Sequence, residues 1–193
     1  MSTALTLITI LLPLGYAAVW ADYLWLFYTD HPWARRTCSR LAGSLVLLHV
    51  AAIVVRAVGL QRLPMGTQSE FLAALALALM GTYLVIERRL RAKQTGFLTT
   101  GAAALLMLLA SLAGPGTANT SPLLQDPGFA GHAVLVLLAY TALSLSFLYA
   151  ILYLVLARQL MRRQFGLLFR RLPALETLER MSVVAVEMGV PLS

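Results

Sequence analysis

A histidine and an arginine interrupt the apolar stretch "LVLLHVAAIVVRAVGL" of residues 45–60. His49 and Arg56 lie seven residues apart, and seven residues of α-helix turn about 700° and rise about 10.5 Å. Both side chains are therefore expected on one face of a helix. This spacing suits a flat anionic cofactor such as haem, whose iron binds imidazole and whose carboxylates would meet the cation. The alternative is a histidine hydrogen-bonded to a neighbouring helix and an arginine that reaches the headgroups.

Two other histidines occupy different surroundings. His132 directly follows a loop rich in proline and glycine and opens the apolar stretch "HAVLVLLAYTALSLSFLYAILYL". It is expected in an exposed position, free to bind a metal. His31 stands beside Pro32 and is predicted to be a solvated loop residue. The hydroxyl residues Thr141, Ser144 and Ser146 are typical of close packing between transmembrane helices.

Composition indicates the class of protein that holds these residues. Of the 193 residues, 60% are hydrophobic and 12% are charged, and the mean hydropathy is +0.80. A soluble domain has about 45–50% apolar and about 25% charged residues. The chain is therefore predicted to be an integral membrane protein.

Five segments approach the roughly 20 apolar residues that a transmembrane helix needs. They are residues 4–28, 41–60, 71–86, 96–113 and 130–157. A sixth apolar segment, 181–192, is too short to cross and contains Glu187 and Pro191. The predicted fold is an all-α polytopic transmembrane helix bundle, with five spans plus a partial sixth, in a single domain over residues 1–193.

The positions of the basic residues predict the topology. Of the 15 lysines and arginines, 13 follow the first, third and fifth segments, whereas Arg56 and Arg62 flank the loop at 61–70 and the loop at 114–129 has none. By the positive-inside rule, the N-terminus and these two loops face outward. The net charge of +7 is thus explained by topology, and no nucleic-acid partner is expected.

Several kinds of chemistry are excluded. The single cysteine, Cys38, is expected in a cytoplasmic loop and permits neither an internal disulfide nor a C-x-x-C-H site for covalent haem. Motifs of zinc proteases, P-loop enzymes and serine hydrolases are missing from the sequence. The chain is not expected to be a self-contained enzyme.

Other polar and aromatic residues have simpler interpretations. Asp22 lies inside the first segment, where an acid is either functional or paired near the interface. The aromatic residues near that end are interpreted as an interfacial belt; they are Tyr23, Trp25, Tyr28 and Trp33. Residues 157–180 are predicted to be a basic amphipathic segment held at the cytoplasmic interface by anionic lipid. A docking site for a cytoplasmic protein is the alternative.

Three stretches together resemble the CcsA/ResC-type cytochrome c assembly proteins, especially their HemX-like branch. The first stretch is similar to the family's helix histidine and the outer turn after it. The second is similar to its outer histidine and the following span, and the third to its inner Leu-Pro-x-Leu-Glu segment before Gly-x-Pro-Leu. The stretches are "LLHVAAIVVRAVGLQRLPMGTQSEFLAALA", "GHAVLVLLAYTALSLSFLYAILYL" and "LFRRLPALETLERMSVVAVEMGVPL".

The resemblance implies haem handling at the outer face of a bacterial inner (plasma) membrane, with an organellar membrane as the less favoured location. It matches His49 to a histidine that holds haem in transit and His132 to a histidine that presents haem to apocytochrome c. Glu70 matches the family's acidic residue after the outer turn. A role for Arg56 beside the haem carboxylates rests on the helical spacing alone. The implied cofactor is haem b, and the implied partners are apocytochrome c and other membrane subunits.

The chain also departs from that family. Its three tryptophans lie near the first segment, whereas the assembly proteins carry a tryptophan-rich outer segment further along. We therefore expect the chain to be the N-terminal part of a longer protein. Three functions remain open: haem handling in cytochrome c maturation, a HemX-like membrane regulator of haem synthesis, and a structural transmembrane subunit of a respiratory or photosynthetic complex.

Overall fold

The structure is a computed structural model that describes residues 3–114, 125–163 and 172–192. Over these residues the chain forms six α-helices and a short 3₁₀ helix. In chain order the helices are α1 (Thr3–Thr29), α2 (Pro32–Leu60), α3 (Gln68–Leu90), α4 (Gly96–Leu112), α5 (Pro127–Met161), α6 (Leu175–Gly189) and the 3₁₀ helix η1 (Val190–Leu192). The prediction of an all-α chain is confirmed.

Three helices are long and apolar enough to cross a membrane, among the residues that the structure describes. They are Pro32–Leu60, Gln68–Leu90 and Gly128–Met161, and Gly96–Leu112 is a shorter apolar helix. The third predicted segment, 71–86, was too short because its helix runs from Gln68 to Leu90. The difference arises because polar capping residues, and not hydropathy, determine where this helix begins.

Polar side chains cap the first turns of α3 and α5. The Thr67 hydroxyl accepts a hydrogen bond from the Glu70 amide at 3.1 Å, and the Glu70 carboxylate accepts one from the Thr67 amide at 3.3 Å. This reciprocal capping box begins α3. At α5 the Asp126 carboxylate accepts from the Gly128 amide at 2.9 Å, with Pro127 in the first turn.

The start of α2 corrects the prediction of a loop around Cys38. His31 caps this helix and Pro32 occupies its first turn, so that Cys38 is buried in a helix. The arginines after the first segment are likewise helical. Because of these proline and capping residues, α2 begins nine residues before the apolar segment predicted at 41–60.

The final helix also begins earlier than the predicted segment 181–192. Helix α6 starts at Leu175, after Ala174, and packs along α5. The Ser182 hydroxyl lies 2.9 Å from that of Ser146, and Gly189 abuts the Ala139 carbonyl. Since Ala139 lies well inside α5, α6 ends partway along that helix. Residues 164–171 of the predicted interfacial segment 157–180 lie outside the described residues.

Helix α3 is central to the bundle. It packs against α2, α4, α5 and α6, whereas α1 packs against α2 and α4. The α2–α3 loop lies at one end of α3, here called the Glu70 end, and the α3–α4 loop lies at the other, the Glu87 end. Each end carries one buried carboxylate of α3.

At the Glu87 end, the Glu87 carboxylate joins three helices. It accepts hydrogen bonds from the hydroxyls of Tyr23 in α1 and Ser39 in α2. The interpretation of Tyr23 as part of an interfacial belt was therefore wrong, because this tyrosine is buried in the core. Asp22 accepts a hydrogen bond from the Thr37 hydroxyl at 2.9 Å, so its observed partner is a hydroxyl of α2 and not a basic loop residue.

Gly96 permits this arrangement at the start of α4. A Cβ atom there would overlap the Tyr23 ring and the Tyr83 hydroxyl oxygen. Both tyrosines are fully buried and form an edge-to-face pair with centroids 5.8 Å apart. A side chain at this position would therefore have to displace one of the two rings.

Gly96→Ala is therefore expected to lower the free energy of unfolding by about 1–3 kcal/mol, the usual cost of overpacking a core. Gly81→Ala is the matched control, since a Cβ at Gly81 in α3 would contact nothing within 4 Å. The control should be neutral or stabilising, because alanine favours helix over glycine. Unfolding in mixed detergent micelles, followed by circular dichroism, measures both; equal stability of the two variants would contradict the packing described.

Candidate functional site

His49 is the last of the buried residues along α2, which are Ala34, Cys38, Ala42, Leu45 and His49. Its ring is 1% exposed, and its Nδ1 atom lies 2.9 Å from the hydroxyl oxygen of Tyr16 in α1. The two rings meet edge to face with centroids 5.7 Å apart. The histidine is thus held between two helices by a single hydrogen bond and by packing.

The Tyr16 contact determines what the imidazole can do. If Nδ1 carries the proton and donates to the Tyr16 oxygen, Nε2 keeps a lone pair for a metal. If the Tyr16 hydroxyl donates instead, the ring proton lies on Nε2 and that lone pair is lost. A hydrogen bond from the non-ligating nitrogen is the usual support of a metal-binding histidine. With its proton on Nδ1, supported by Tyr16, His49 has the chemistry to bind haem iron through Nε2. The imidazole ring is nevertheless almost completely buried.

Beyond His49, α2 leaves the core. From Val50 to Leu60 no residue of this helix is buried, and Val54, Val55 and Val58 are more than half exposed. At about 100° per residue these three valines lie on the side of α2 opposite His49. That side has the character needed to meet lipid.

Glu70 gathers the polar groups near the end of α2. Its carboxylate lies 3.2 Å from Arg56 Nη2, 3.0 Å from Arg62 Nη1 and 3.3 Å from Arg62 Nη2. It also accepts a hydrogen bond from the Gly66 amide at 2.9 Å. Two cations face one carboxylate, so the cluster keeps an excess positive charge.

The two arginines differ in exposure. The side chain of Arg62 is 9% exposed and that of Glu70 is 4% exposed, whereas Arg56 is 44% exposed. Arg62 also donates to the Leu63 carbonyl at 3.0 Å and thereby fixes the α2–α3 loop. Arg56 can leave Glu70 without breaking that loop, because Arg62 keeps both of its contacts with the carboxylate.

His132 lies elsewhere in the bundle. It is exposed in the second turn of α5, a helix that packs on α3 and α6, whereas α2 packs on α1 and α3. The structure therefore brings Arg56 and Glu70 together but does not join His132 to His49 in one site. Among the described residues, no group of three or more histidine, cysteine or acidic side chains is placed to hold a metal ion.

Sequence reasoning missed Tyr16 and Glu87. Tyr16 is separated from His49 by 33 residues, and no motif signals the pairing of two helices. The sequence did contain a signal for Glu87, because this residue is an acid at the end of an apolar helix. His31, predicted to be solvated, is exposed and also stacks on Trp25 with centroids 5.6 Å apart.

Comparisons with known proteins give two matches. A family model described as "Cytochrome C assembly protein" matches residues 38–193. Protein HemX of Brevibacillus brevis is 28% identical over 180 residues, which cover 90% of this chain and 66% of that protein. The chain thus spans just under two thirds of that relative. No solved structure matches the chain.

Glu70→Gln should lower the free energy of unfolding by about 3 kcal/mol, because it leaves the largely buried Arg62 without its anion. Glutamine can still serve in the capping box, so that loss of charge is the main change. Arg56→Gln is the matched comparison and should cost less than about 1 kcal/mol, since its ion pair is half solvated. Micellar unfolding measures both, and an equal or reversed ranking would show that Arg62 does not depend on Glu70.

Proposed function

The chain belongs to the cytochrome c assembly protein family, and from this premise we propose that it is a haem-handling protein of cytochrome c maturation. It is a haem-related, multi-pass membrane protein. Haem b is its non-covalent cargo, held in transit by His49 within the bundle and presented by His132 to apocytochrome c. Membrane subunits of a haem-handling assembly are the other proposed partners.

The contact between His49 and Tyr16 carries this proposal. It orients the ring through Nδ1 and leaves Nε2 for iron in one of its two tautomers. The same hydrogen bond satisfies the buried ring and turns Nε2 away from Tyr16. Since the ring is 1% exposed, haem can reach it only when α2 and its neighbours move apart.

Arg56 supports the same proposal from the next turns of α2. It lies on the same side of α2 as His49, two turns further along, and is half exposed where it meets Glu70. A haem carboxylate can replace Glu70 as its partner, because arginine pairs with any carboxylate through the same donors. Glu70 then keeps Arg62, so the α2–α3 loop remains closed. The proposed role of Glu70 is to hold Arg56 in place until haem arrives.

The distribution of basic residues supports an orientation in a bacterial inner membrane. The N-terminus and the Glu70 end face outward, and the Glu87 end faces the cytoplasm. Five spans with a partial sixth follow from the apolar segments. In this orientation His132 opens toward the side on which apocytochrome c receives haem.

A second candidate is a membrane regulator of haem synthesis, as the HemX-like resemblance implies. The similarity to Protein HemX over most of this chain favours it. Such a regulator would bind a cytoplasmic protein through residues 157–180 and need not retain haem.

Haem content of histidine variants tests the first candidate. We expect His49→Gly to lose most of the haem that copurifies with the parent protein, and imidazole added to the medium to restore it by filling the vacated position. His31→Ala is the matched control, because His31 is exposed at the opposite end of the bundle, and it should keep its haem. If His49→Gly retains haem to the same extent as His31→Ala, His49 is not a haem ligand.

The orienting hydrogen bond gives a separate test. Tyr16→Phe keeps the ring and removes the hydroxyl, so it should weaken haem binding about 10–100-fold, as loss of a supporting partner does at metal-binding histidines. Haem titration of the purified protein, followed by optical absorption, measures the affinity. An unchanged affinity would mean that Tyr16 packs against His49 without orienting it for iron.

A further inference from the structure

A cavity of about 220 Å³ opens at the Glu87 end, away from the haem-handling residues. It lies between the last turn of α1, the first turns of α2 and the α3–α4 loop. Leu26, Phe27 and Leu172 form its apolar wall. Ligand pockets for drug-sized molecules usually measure about 300–1,000 Å³, so the cavity is too small for a porphyrin.

The polar wall of this cavity is predominantly cationic. Arg35, Arg91 and Lys93 line it together with a single acid, Asp30, which leaves an excess of two positive charges. Asp30 pairs with Arg35 at 2.7 Å, but both side chains are about half exposed. An ion pair in contact with water is weak, so Arg35 can also bind an added anion.

Backbone contacts and backbone conformation fix the positions of Lys93 and Arg91. The Lys93 ammonium donates to the Arg35 carbonyl oxygen at 2.7 Å, which joins the α3–α4 loop to the start of α2. Arg91 ends α3 in the left-handed conformation, with φ of 53°. Within the described residues the Arg91 guanidinium makes no ion pair or side-chain hydrogen bond, although it borders the cavity. A planar guanidinium of this kind suits bidentate binding of phosphate.

We propose that this cavity is a binding site for a phosphate-bearing anion of headgroup size. Arg91 and Lys93 bind the phosphate, and Arg35 contributes through the nitrogens that do not face Asp30. Phe27 and Leu172 offer the apolar surface against which a glycerol or acyl group packs. The source is either an anionic lipid or free phosphate, and basic pockets between helices at a cytoplasmic membrane face commonly take lipid headgroups.

Short-chain lipids test the site on the purified full-length protein in detergent. Dioctanoyl phosphatidylglycerol, dioctanoyl phosphatidylcholine and inorganic phosphate are titrated separately by calorimetry. We expect saturable binding of phosphatidylglycerol but not of phosphatidylcholine, which has the same chains without the net charge. Arg91→Gln should weaken that binding about tenfold, the effect of losing a charge-assisted hydrogen bond.

Arg89→Gln is the matched control. Arg89 is exposed in the last turn of α3 and does not line the cavity, so this variant removes the same charge nearby and should bind like the parent. If phosphate alone binds with the same dependence on Arg91, the ligand is a free anion. If neither probe binds saturably, or if both variants weaken binding equally, the proposed site does not exist. Thermal unfolding of the variants without ligand excludes loss of folding as the cause, and their haem content tests the haem proposal independently.

Discussion

Glu70 is the residue on which the geometry of the α2–α3 hairpin depends. Its one carboxylate caps α3, accepts an amide of the loop and meets both Arg56 and Arg62. A buried carboxylate is costly unless paired, and the largely buried Arg62 and the loop amides supply the lasting partners. They fix the direction in which α2 ends, and through it the position of Arg56, two turns beyond His49 on the same side of the helix. The site therefore depends on a carboxylate that does not itself meet the proposed iron.

A second carboxylate gives α3 a fixed position at its other end. Glu87 accepts from Tyr23 of α1 and Ser39 of α2, so three helices converge on one acid. The first half of α2 is held there by a stripe of small buried residues, Ala34, Cys38 and Ala42, whereas its second half lies open. His49 is the last buried residue of the stripe. This position, at the boundary between the packed and open halves, is where a movement of α2 would expose the ring.

Much of this arrangement could be predicted from local sequence. Helical periodicity predicted that His49 and Arg56 share one face of a helix, whereas Glu70 was singled out by the family resemblance and not by local sequence. Hydropathy found the apolar segments but missed the helix ends, because Pro32, Thr67 and Asp126 start helices through capping, which hydropathy does not measure. The contacts of His49 with Tyr16 and of Glu87 with Tyr23 join residues that are 33 and 64 positions apart. Such pairs depend on how whole helices pack, for which a single sequence has no local signal.

The proposed function requires that this bundle binds haem. The most direct measurement is a pyridine haemochrome spectrum of the unaltered protein, purified after expression with ample haem and compared with its reduced-minus-oxidised spectrum. We expect a b-type spectrum at a stoichiometric level, since the sequence offers no C-x-x-C-H site for covalent attachment. A protein that stays free of haem after this expression, and after incubation with haem in detergent, is not a haem carrier, and the regulatory function would then be favoured.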